Sequence, residues 1–286
     1  MATLTGDNAT GTAAEGEARR QGSEWGEKLA RAGYYAKGFL YVVIGVLAIR
    51  AAFGMGGDIG GSKNALAALA GEGTLGQILL WVIGIGLVGY ALWNAFRGIM
   101  DPENEGDDKK GIGKRIFFGI SAVIHASLAI FVFTELLSGS GGGSGGEDGT
   151  EGMVGKVLAW GTFGRIAVAG VGIGIFCFAV QQLIKAWKVD LSDQLMFGKM
   201  GDTMKKVAVW SGRGGLAARG VVFGIVGFFL VLAAYRYDSD SAAGMGEVLK
   251  MLGGTGGSIV LAIVAFGLFL YGVHMMVKGR YRRIEV

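Results

Sequence analysis

Residues 73–97 read GTLGQILLWVIGIGLVGYALWNAFR, and the same pattern recurs at residues 161–185 (GTFGRIAVAGVGIGIFCFAVQQLIK) and 254–278 (GTGGSIVLAIVAFGLFLYGVHMMVK). Every copy opens with Gly-Thr, has a glycine at its fourteenth position, an aromatic residue at its eighteenth and a cation at its twenty-fifth. A helix needs ~20 mostly apolar residues to cross the ~30 Å hydrocarbon layer of a bilayer, and each copy reaches that length. The pattern therefore predicts a membrane-spanning helix that the chain contains three times.

Each copy follows another apolar segment, so the candidate spans come in three successive pairs, at residues 33–52 and 75–96, 116–137 and 163–184, 216–235 and 259–277. Of the 286 residues, 51% are hydrophobic and 17% are charged, whereas about 25% of the residues in a soluble domain are charged. Strands of a membrane barrel would be ~10 residues long with alternating polarity. The longer segments, which do not alternate, predict an all-α membrane protein with six transmembrane helices.

The first helices of the pairs also resemble one another. Residues 33–41 (GYYAKGFLY) match residues 215–223 (GLAARGVVF), and Gly119 stands where Gly38 and Gly220 stand. A short amphipathic stretch precedes each second helix, at residues 64–70, 156–160 and 247–252. Each pair starts and ends on the same side of the membrane. We therefore predict three parallel helical-hairpin repeats around a pseudo-threefold axis along the membrane normal, with short interfacial helices.

The composition divides the rest of the chain around these repeats. We expect a polar, disordered cytoplasmic tail at 1–28, hairpin repeats at 29–100, 101–190 and 215–280, a cytoplasmic linker at 191–214, and a basic C-terminal tail at 281–286.

The cations indicate the orientation of the chain. If both termini lie on one side, that side holds 20 of the 27 Lys and Arg residues and the other side holds six, with Lys37 just inside the first span. Connections rich in Lys and Arg stay in the cytoplasm, so we predict that both termini are cytoplasmic. Lys37 and Arg219 occupy matched positions, and we expect their side chains to extend towards lipid phosphates. The expected partners are the bilayer and anionic head groups at its cytoplasmic face. No basic cluster with interleaved aromatic residues indicates nucleic-acid binding.

A family resemblance rests on glycine and aromatic residues that recur between the repeats. It is carried by the Asn64-Ala-Leu66 element, the run 86–93 (GLVGYALW), and the matched sets Gly33, Lys37, Gly38, Tyr41, Gly45 and Gly215, Arg219, Gly220, Phe223, Gly227. Over about residues 30–282 the chain resembles a bacterial membrane family, domain of unknown function 1206. The resemblance implies three tandem two-helix units in the bacterial cytoplasmic (inner) membrane. It supplies no activity and no catalytic residues.

The second helices carry the candidate site on one face, as layers at matched positions. From the membrane interior outward these are a glycine layer, an aromatic layer (Tyr90, Phe178, Tyr271), a polar layer (Trp93, Gln181, His274) and a cationic layer (Arg97, Lys185, Lys278). Asn94 and Gln182 add polar groups at the depth of the polar layer, and His125 is an ionisable residue near the middle of the third span. The layers indicate either a tapered vestibule for an anionic or polar solute, or ordinary packing of small and aromatic residues.

No pattern indicates catalysis or a bound cofactor. Gly84–Gly89 fits G-x-G-x-x-G but lies inside a spanning helix, where close packing explains it. His125 and His274 would lie ~15 Å and ~6 Å from the cytoplasmic boundary, which is too different for one shared iron. We therefore expect no cofactor, no metal and no enzymatic activity. The favoured hypothesis is a permease or channel for a small solute along the repeat axis. The alternative is a non-catalytic scaffold that organises lipids or partner helices, and the oligomeric state stays open.

Overall fold

The computed structural model describes residues 7–56, 60–102, 106–138, 150–188, 195–255 and 257–283, with side chains from residue 27 onward except at Ser138. Within these ranges the chain forms nine α-helices and no strand. They are α1 (Asp7–Ala52), α2 (Ser62–Ala70), α3 (Gly73–Met100), α4 (Lys109–Ser138), α5 (Thr150–Leu158), α6 (Thr162–Lys188), α7 (Asp202–Arg236), α8 (Met245–Thr255) and α9 (Gly257–Tyr281).

Six of these helices, α1, α3, α4, α6, α7 and α9, are long and apolar enough to cross a membrane. The three short helices α2, α5 and α8 each precede the second long helix of a pair, as the sequence predicted. The chain is therefore an all-α membrane protein built from three helix pairs. The threefold relation between the pairs stays a prediction.

Two helix boundaries differ from the predicted segments. Helix α1 begins at Asp7, so it includes most of the segment at 1–28 for which a disordered tail was predicted. Ala, Glu and Arg are frequent there, and all three favour helix. Helix α7 begins at Asp202, so it includes the second half of the predicted linker. Ala208 and Ser211 in this first part of α7 are buried, which explains why the helix extends beyond the apolar span. Ahead of α7, the Met196 amide donates a hydrogen bond of 2.8 Å to the Tyr281 carbonyl of α9.

The long helices form an open ring. Neighbours pack in the order α4, α3, α1, α9, α7, α6, whereas α4 and α6 make no extensive contact with each other. In the most apolar window of α4 and α6 only 11% and 22% of the residues are buried, against 44–56% in the other four long helices. We call the gap between residues 117–128 of α4 and 167–184 of α6 the seam.

Glycine contacts explain why the first and third pairs close. A Cβ added at Gly86 of α3 would collide with the Ala36 side chain of α1, and a Cβ at Gly267 of α9 would collide with Ala218 of α7. The corresponding Gly174 of α6 has no such neighbour, because nothing in the described structure lies within 4 Å of its added Cβ. Glycine therefore allows close approach in two pairs and lies in open space in the third.

The second pair also carries larger residues at the contact positions. With Gly119 aligned to Gly38 and Gly220, Phe117 takes the place of Ala36 and Ala218. The Phe117 ring stacks on Phe178 of α6 with centroids 5.3 Å apart. A phenyl group at the position of an alanine methyl holds the two helices apart, and the seam follows from this substitution.

Lys114 also holds α4 away from α6. It occupies the position of Gly33 and Gly215. Those two glycines lie directly against Tyr90 and Tyr271, so that no Cβ fits between the helices. The long side chain of a lysine does not fit where even a Cβ would collide with the facing helix. Helix α4 therefore lies further from α6 than the first helix of each other pair lies from its partner.

Candidate functional site

A cavity of about 1140 Å³ lies inside the open ring. It extends from Ser62 and Met245, beside the short helices, to Lys188 and Arg282 at the opposite end of the bundle. We call that second end, at which α6 and α9 end, the basic end. All six long helices contribute lining residues, so the cavity depends on the whole ring.

Cations dominate the charge of the cavity. No Asp or Glu of the described residues lines it, whereas seven basic residues do: Lys37, Arg97, Lys185, Lys188, Arg219, Lys278 and Arg282. Lys278 lies close enough to Lys185, Lys37, Arg219 and Arg97 for their like charges to interact. Charges interact more strongly in a low-dielectric environment than in water, so these residues create a strongly positive potential.

Aromatic rings surround the two deepest cations. Lys37 is only 8% exposed, and its Nζ lies 5.1 Å from the centroid of the Tyr90 ring. The Arg219 guanidinium carbon lies 5.0 Å from the ring centroids of both Phe178 and Phe223. Cation–π attraction to these rings stabilises the charges where few water molecules reach them.

Arg219 is also fixed by a hydrogen bond. Its Nη1 donates to the Tyr271 hydroxyl at 2.8 Å, and the Tyr271 ring packs edge-on against Tyr41 with centroids 4.6 Å apart. The buried Nε of Arg219 has no acceptor within hydrogen-bonding distance among the described residues. The guanidinium is therefore held in place by its Nη1 hydrogen bond and by the surrounding rings.

The other cations and rings extend this lining. The guanidinium carbon of Arg97 lies 3.6 Å from the ring centroid of Phe118. Arg282 donates a hydrogen bond to the Tyr34 hydroxyl. His125 packs against Tyr90 with centroids 4.6 Å apart. Cations therefore lie beside phenol and phenyl rings in the lining of the cavity.

The structure brings nine of the twelve predicted site residues together. The ones that line the cavity are Tyr90, Asn94, Arg97, His125, Phe178, Gln182, Lys185, Tyr271 and Lys278. The predicted polar layer of Trp93, Gln181 and His274 does not line it. Trp93 and His274 are buried between helices, while Gln181 is exposed and accepts a hydrogen bond from Lys185 at 3.4 Å.

Helix geometry explains why the polar layer lies outside the cavity lining. A helix turns by about 100° per residue, so positions four and seven after the aromatic residue lie about 40° and −20° from it, while position three lies about −60° away. The cavity face includes the first two positions, which hold Asn94, Gln182 and Met275 and then the cations. Position three points away from the cavity, towards a neighbouring helix or, in α6, towards the surface.

Lys37 and Arg219 were missed as site residues. We expected them to extend towards lipid phosphates, whereas both line the cavity. The signal was present in the sequence, because the two cations occupy matched positions in the first and third repeats. In the second repeat the same alignment places Phe118 there, and this residue stacks on Arg97 instead.

The described residues contain no group of three or more His, Cys, Asp or Glu side chains that could hold a metal ion. His125 lines the cavity and its Nδ1 lies 2.7 Å from the Ser121 carbonyl oxygen, whereas His274 lies outside the lining. Cys177 is exposed on α6. What the cavity offers chemically is a set of positive charges and hydrogen-bond donors beside aromatic rings.

These features define a polytopic helical membrane protein of three repeats with a basic internal cavity. The chain belongs to the family described as Domain of Unknown Function (DUF1206), whose pattern matches three times, at residues 32–101, 117–189 and 214–282. Over 273 residues it is 31% identical to "Uncharacterized protein YxxB" of Bacillus subtilis (strain 168), covering 93% of this chain and 94% of that protein. No solved structure matches the chain. The three matches confirm the tandem repeats.

Proposed function

We propose that this protein is a permease or channel for a small anionic solute, without enzymatic activity, and that the solute occupies the basic cavity. The observation that carries the proposal is the lining of seven cations with no Asp or Glu among the described residues. A permease or channel needs no catalytic residues, because the charge and shape of the cavity suffice to bind a solute and let it pass.

Charge balance supports an anion rather than a neutral solute. Burying a cation without a counter-charge is costly, and the cost is relieved when an opposite charge binds next to it. Hydrogen bonds between ionised partners are roughly twice as strong as neutral ones. An anion beside Arg219 and Lys278 would gain from both effects. The surrounding rings would exclude water and strengthen the attraction.

We also propose that the basic end faces the cytoplasm of a bacterium and that the protein resides in its inner membrane. The uneven distribution of Lys and Arg supports this orientation. With that orientation the cations would collect anions from the cytoplasmic side, and neighbouring anionic head groups would be partners of the same surface.

The alternative function, a non-catalytic scaffold that organises lipids or partner helices, is supported by a different observation. Helices α4 and α6 bury the smallest share of their apolar windows. Their free faces could contact lipids or another helix without any solute passing through the ring.

Flux into proteoliposomes separates the two functions. The full-length protein would be reconstituted in phosphatidylcholine vesicles, and uptake of ³²P-labelled phosphate and of ¹⁴C-labelled benzoate would be compared with that of empty vesicles. We expect uptake of at least one of these anions, and none of ¹⁴C-labelled mannitol. Uptake of neither anion by correctly folded protein would contradict the permease and favour the scaffold.

A pair of arginines on one helix provides the matched control. Arg219 lines the cavity, whereas Arg213, six residues earlier on α7, is exposed and does not. Arg219→Gln should reduce uptake at least tenfold, because a charge-assisted hydrogen bond contributes ~1.5–3 kcal/mol. Arg213→Gln should leave uptake within about twofold of wild type. Equal losses in both variants would count against a cavity route.

A further inference from the structure

The seam gives the cavity a lateral opening, towards the bilayer. We infer that the cavity also binds a membrane lipid with an anionic, phosphate-bearing head group, which enters sideways between α4 and α6. The inference rests on the proposed anion site, because the same cations would bind the phosphate of the lipid. It adds a second entry route and an apolar part to the site.

Residues along the seam both line the cavity and are exposed on the surface. On α4, Phe117 and Ile120 are 46% and 54% exposed while they line the cavity. On α6, Val171 is 58% exposed and Gly174 is exposed, and both also line it. Residues of this kind form the rim of an opening. The rim is apolar, which suits passage of acyl chains and does not suit a hydrated ion.

The cavity lining changes in polarity along the bundle. The cations and phenols lie towards the basic end, whereas Leu128, Val171, Ile175 and Met245 line the part that extends towards the short helices. A lipid that entered through the seam would place its phosphate among the cations and its chains against these apolar residues. A small hydrophilic anion would leave the apolar part unused.

The positive charge beside the seam also favours a lipid with an anionic head group. Lys114 of α4 and Lys185 of α6 flank the seam at the basic end, and they lie close enough for their charges to interact. Cations on both sides of an apolar opening attract an anionic head group at the level where the lipid phosphates lie. The volume supports a ligand of this size, because about 1140 Å³ exceeds the ~300–1,000 Å³ of most small-molecule pockets.

The second repeat supplies independent support. In the other two repeats small residues close the helix pair, and only here do Phe117 and Lys114 replace them. Among the described residues the ring is therefore open between α4 and α6, and Lys114 and Lys185 flank this opening at the basic end.

A side chain placed in the seam tests the inference. Gly174 lines the cavity and has open space around its added Cβ, whereas the adjacent Ile173 is 55% exposed and does not line the cavity. Gly174→Trp should block the opening, and Ile173→Trp is the matched control. Delipidated full-length protein would be studied by native mass spectrometry with dioleoylphosphatidylglycerol and with dioleoylphosphatidylcholine. Binding of ³²P-labelled phosphate would be measured by equilibrium dialysis.

We expect one phosphatidylglycerol per chain, at least tenfold preferred over phosphatidylcholine. Gly174→Trp should reduce lipid occupancy at least tenfold, and Ile173→Trp should change neither lipid occupancy nor phosphate binding. Phosphate binding without a preference for phosphatidylglycerol, or equal effects of the two Trp variants, would overturn the lipid route but leave the anion site standing. If the wild-type protein bound neither phosphate nor phosphatidylglycerol, the proposed function itself would be overturned. A stable dimer that Ile173→Trp dissociates would overturn the inference as well, because a second copy would then cover the seam.

Discussion

The Arg219 side chain on α7 donates a hydrogen bond of 2.8 Å from Nη1 to the Tyr271 hydroxyl on α9. The two helices belong to the same repeat, and they approach closely because Gly215 lies directly against Tyr271. The contact orients a guanidinium into the central cavity before any ligand binds. Pre-orientation of this kind reduces the entropy that binding would otherwise cost.

Removal of the Tyr271 hydroxyl should weaken anion binding without removing the charge. In Tyr271→Phe the ring that contacts Tyr41 remains, while the hydrogen bond to Arg219 is lost. We expect a loss of about 1 kcal/mol, or roughly fivefold, in affinity for ³²P-labelled phosphate. The equilibrium dialysis that measures this should show a larger loss for Arg219→Gln. Tighter binding in Tyr271→Phe would indicate that the tyrosine competes with the ligand for Arg219.

Two adjacent glutamines distinguish the cavity from the surface. Gln182 is buried and lines the cavity, whereas Gln181 is exposed on another face of α6. Gln182→Leu should reduce phosphate affinity roughly fivefold, because a donor worth about 1 kcal/mol is lost. Gln181→Leu should have no measurable effect. The reverse order of effects in the same binding measurement would show that the cavity face of α6 has been assigned wrongly.

The glycine contacts predict opposite responses to the same substitution. Gly86→Ala should lower stability by about 1–3 kcal/mol, because the added methyl group overlaps the Ala36 side chain. Gly174→Ala should be neutral or stabilising by up to ~1 kcal/mol, since alanine favours helix and the space is free. Thermal unfolding of both variants in detergent measures the difference. Similar melting temperatures would mean that the first and second helix pairs are packed alike.

Charged thiol reagents should distinguish residues that face the cavity from residues buried between helices. In a Cys177→Ser background, Met275→Cys places a thiol in the cavity lining, and His274→Cys places one at a position with 0% exposure outside the lining. A membrane-impermeant, anionic methanethiosulfonate should modify the first at least tenfold faster than the second. Mass spectrometry of the intact chain reports both rates. Modification from only one side of sealed vesicles would also establish which side the basic end faces.

Much of the fold was accessible from the sequence because the bilayer imposes strong restrictions. Any segment as long and apolar as residues 75–96 must satisfy its backbone within a helix, so six helices follow from composition and length. The short helices follow from the repeat pattern. The open ring did not follow, because it depends on which residues of α4 and α6 meet. The sequence signal for the open ring is the departure of the second repeat from the other two, at Phe117 and Lys114. The repeat pattern itself consists of the positions at which the three copies agree.

The sequence also placed part of the site correctly on one face of the second helices. Tyr90, Phe178 and Tyr271 and the cations seven residues later line the cavity, since positions on one helix face follow from the helical period. The polar layer of Trp93, Gln181 and His274 does not line the cavity. Residues three and four positions after the aromatic residue lie on neighbouring faces of a helix, and here only the fourth position faces the cavity. Lys37 and Arg219 were missed because a cation near the end of a span is usually explained by topology.

The most direct test of the account locates the anion itself. Crystals of the full-length protein grown with sodium selenate, a tetrahedral dianion like phosphate, would be measured at the selenium absorption edge. We predict an anomalous peak inside the ring of helices, within hydrogen-bonding distance of Arg219 and Lys278, that disappears in the Arg219→Gln variant. Selenate bound only at exposed surface residues, with the cavity free of anomalous density, would contradict the claim that this cavity is an anion site.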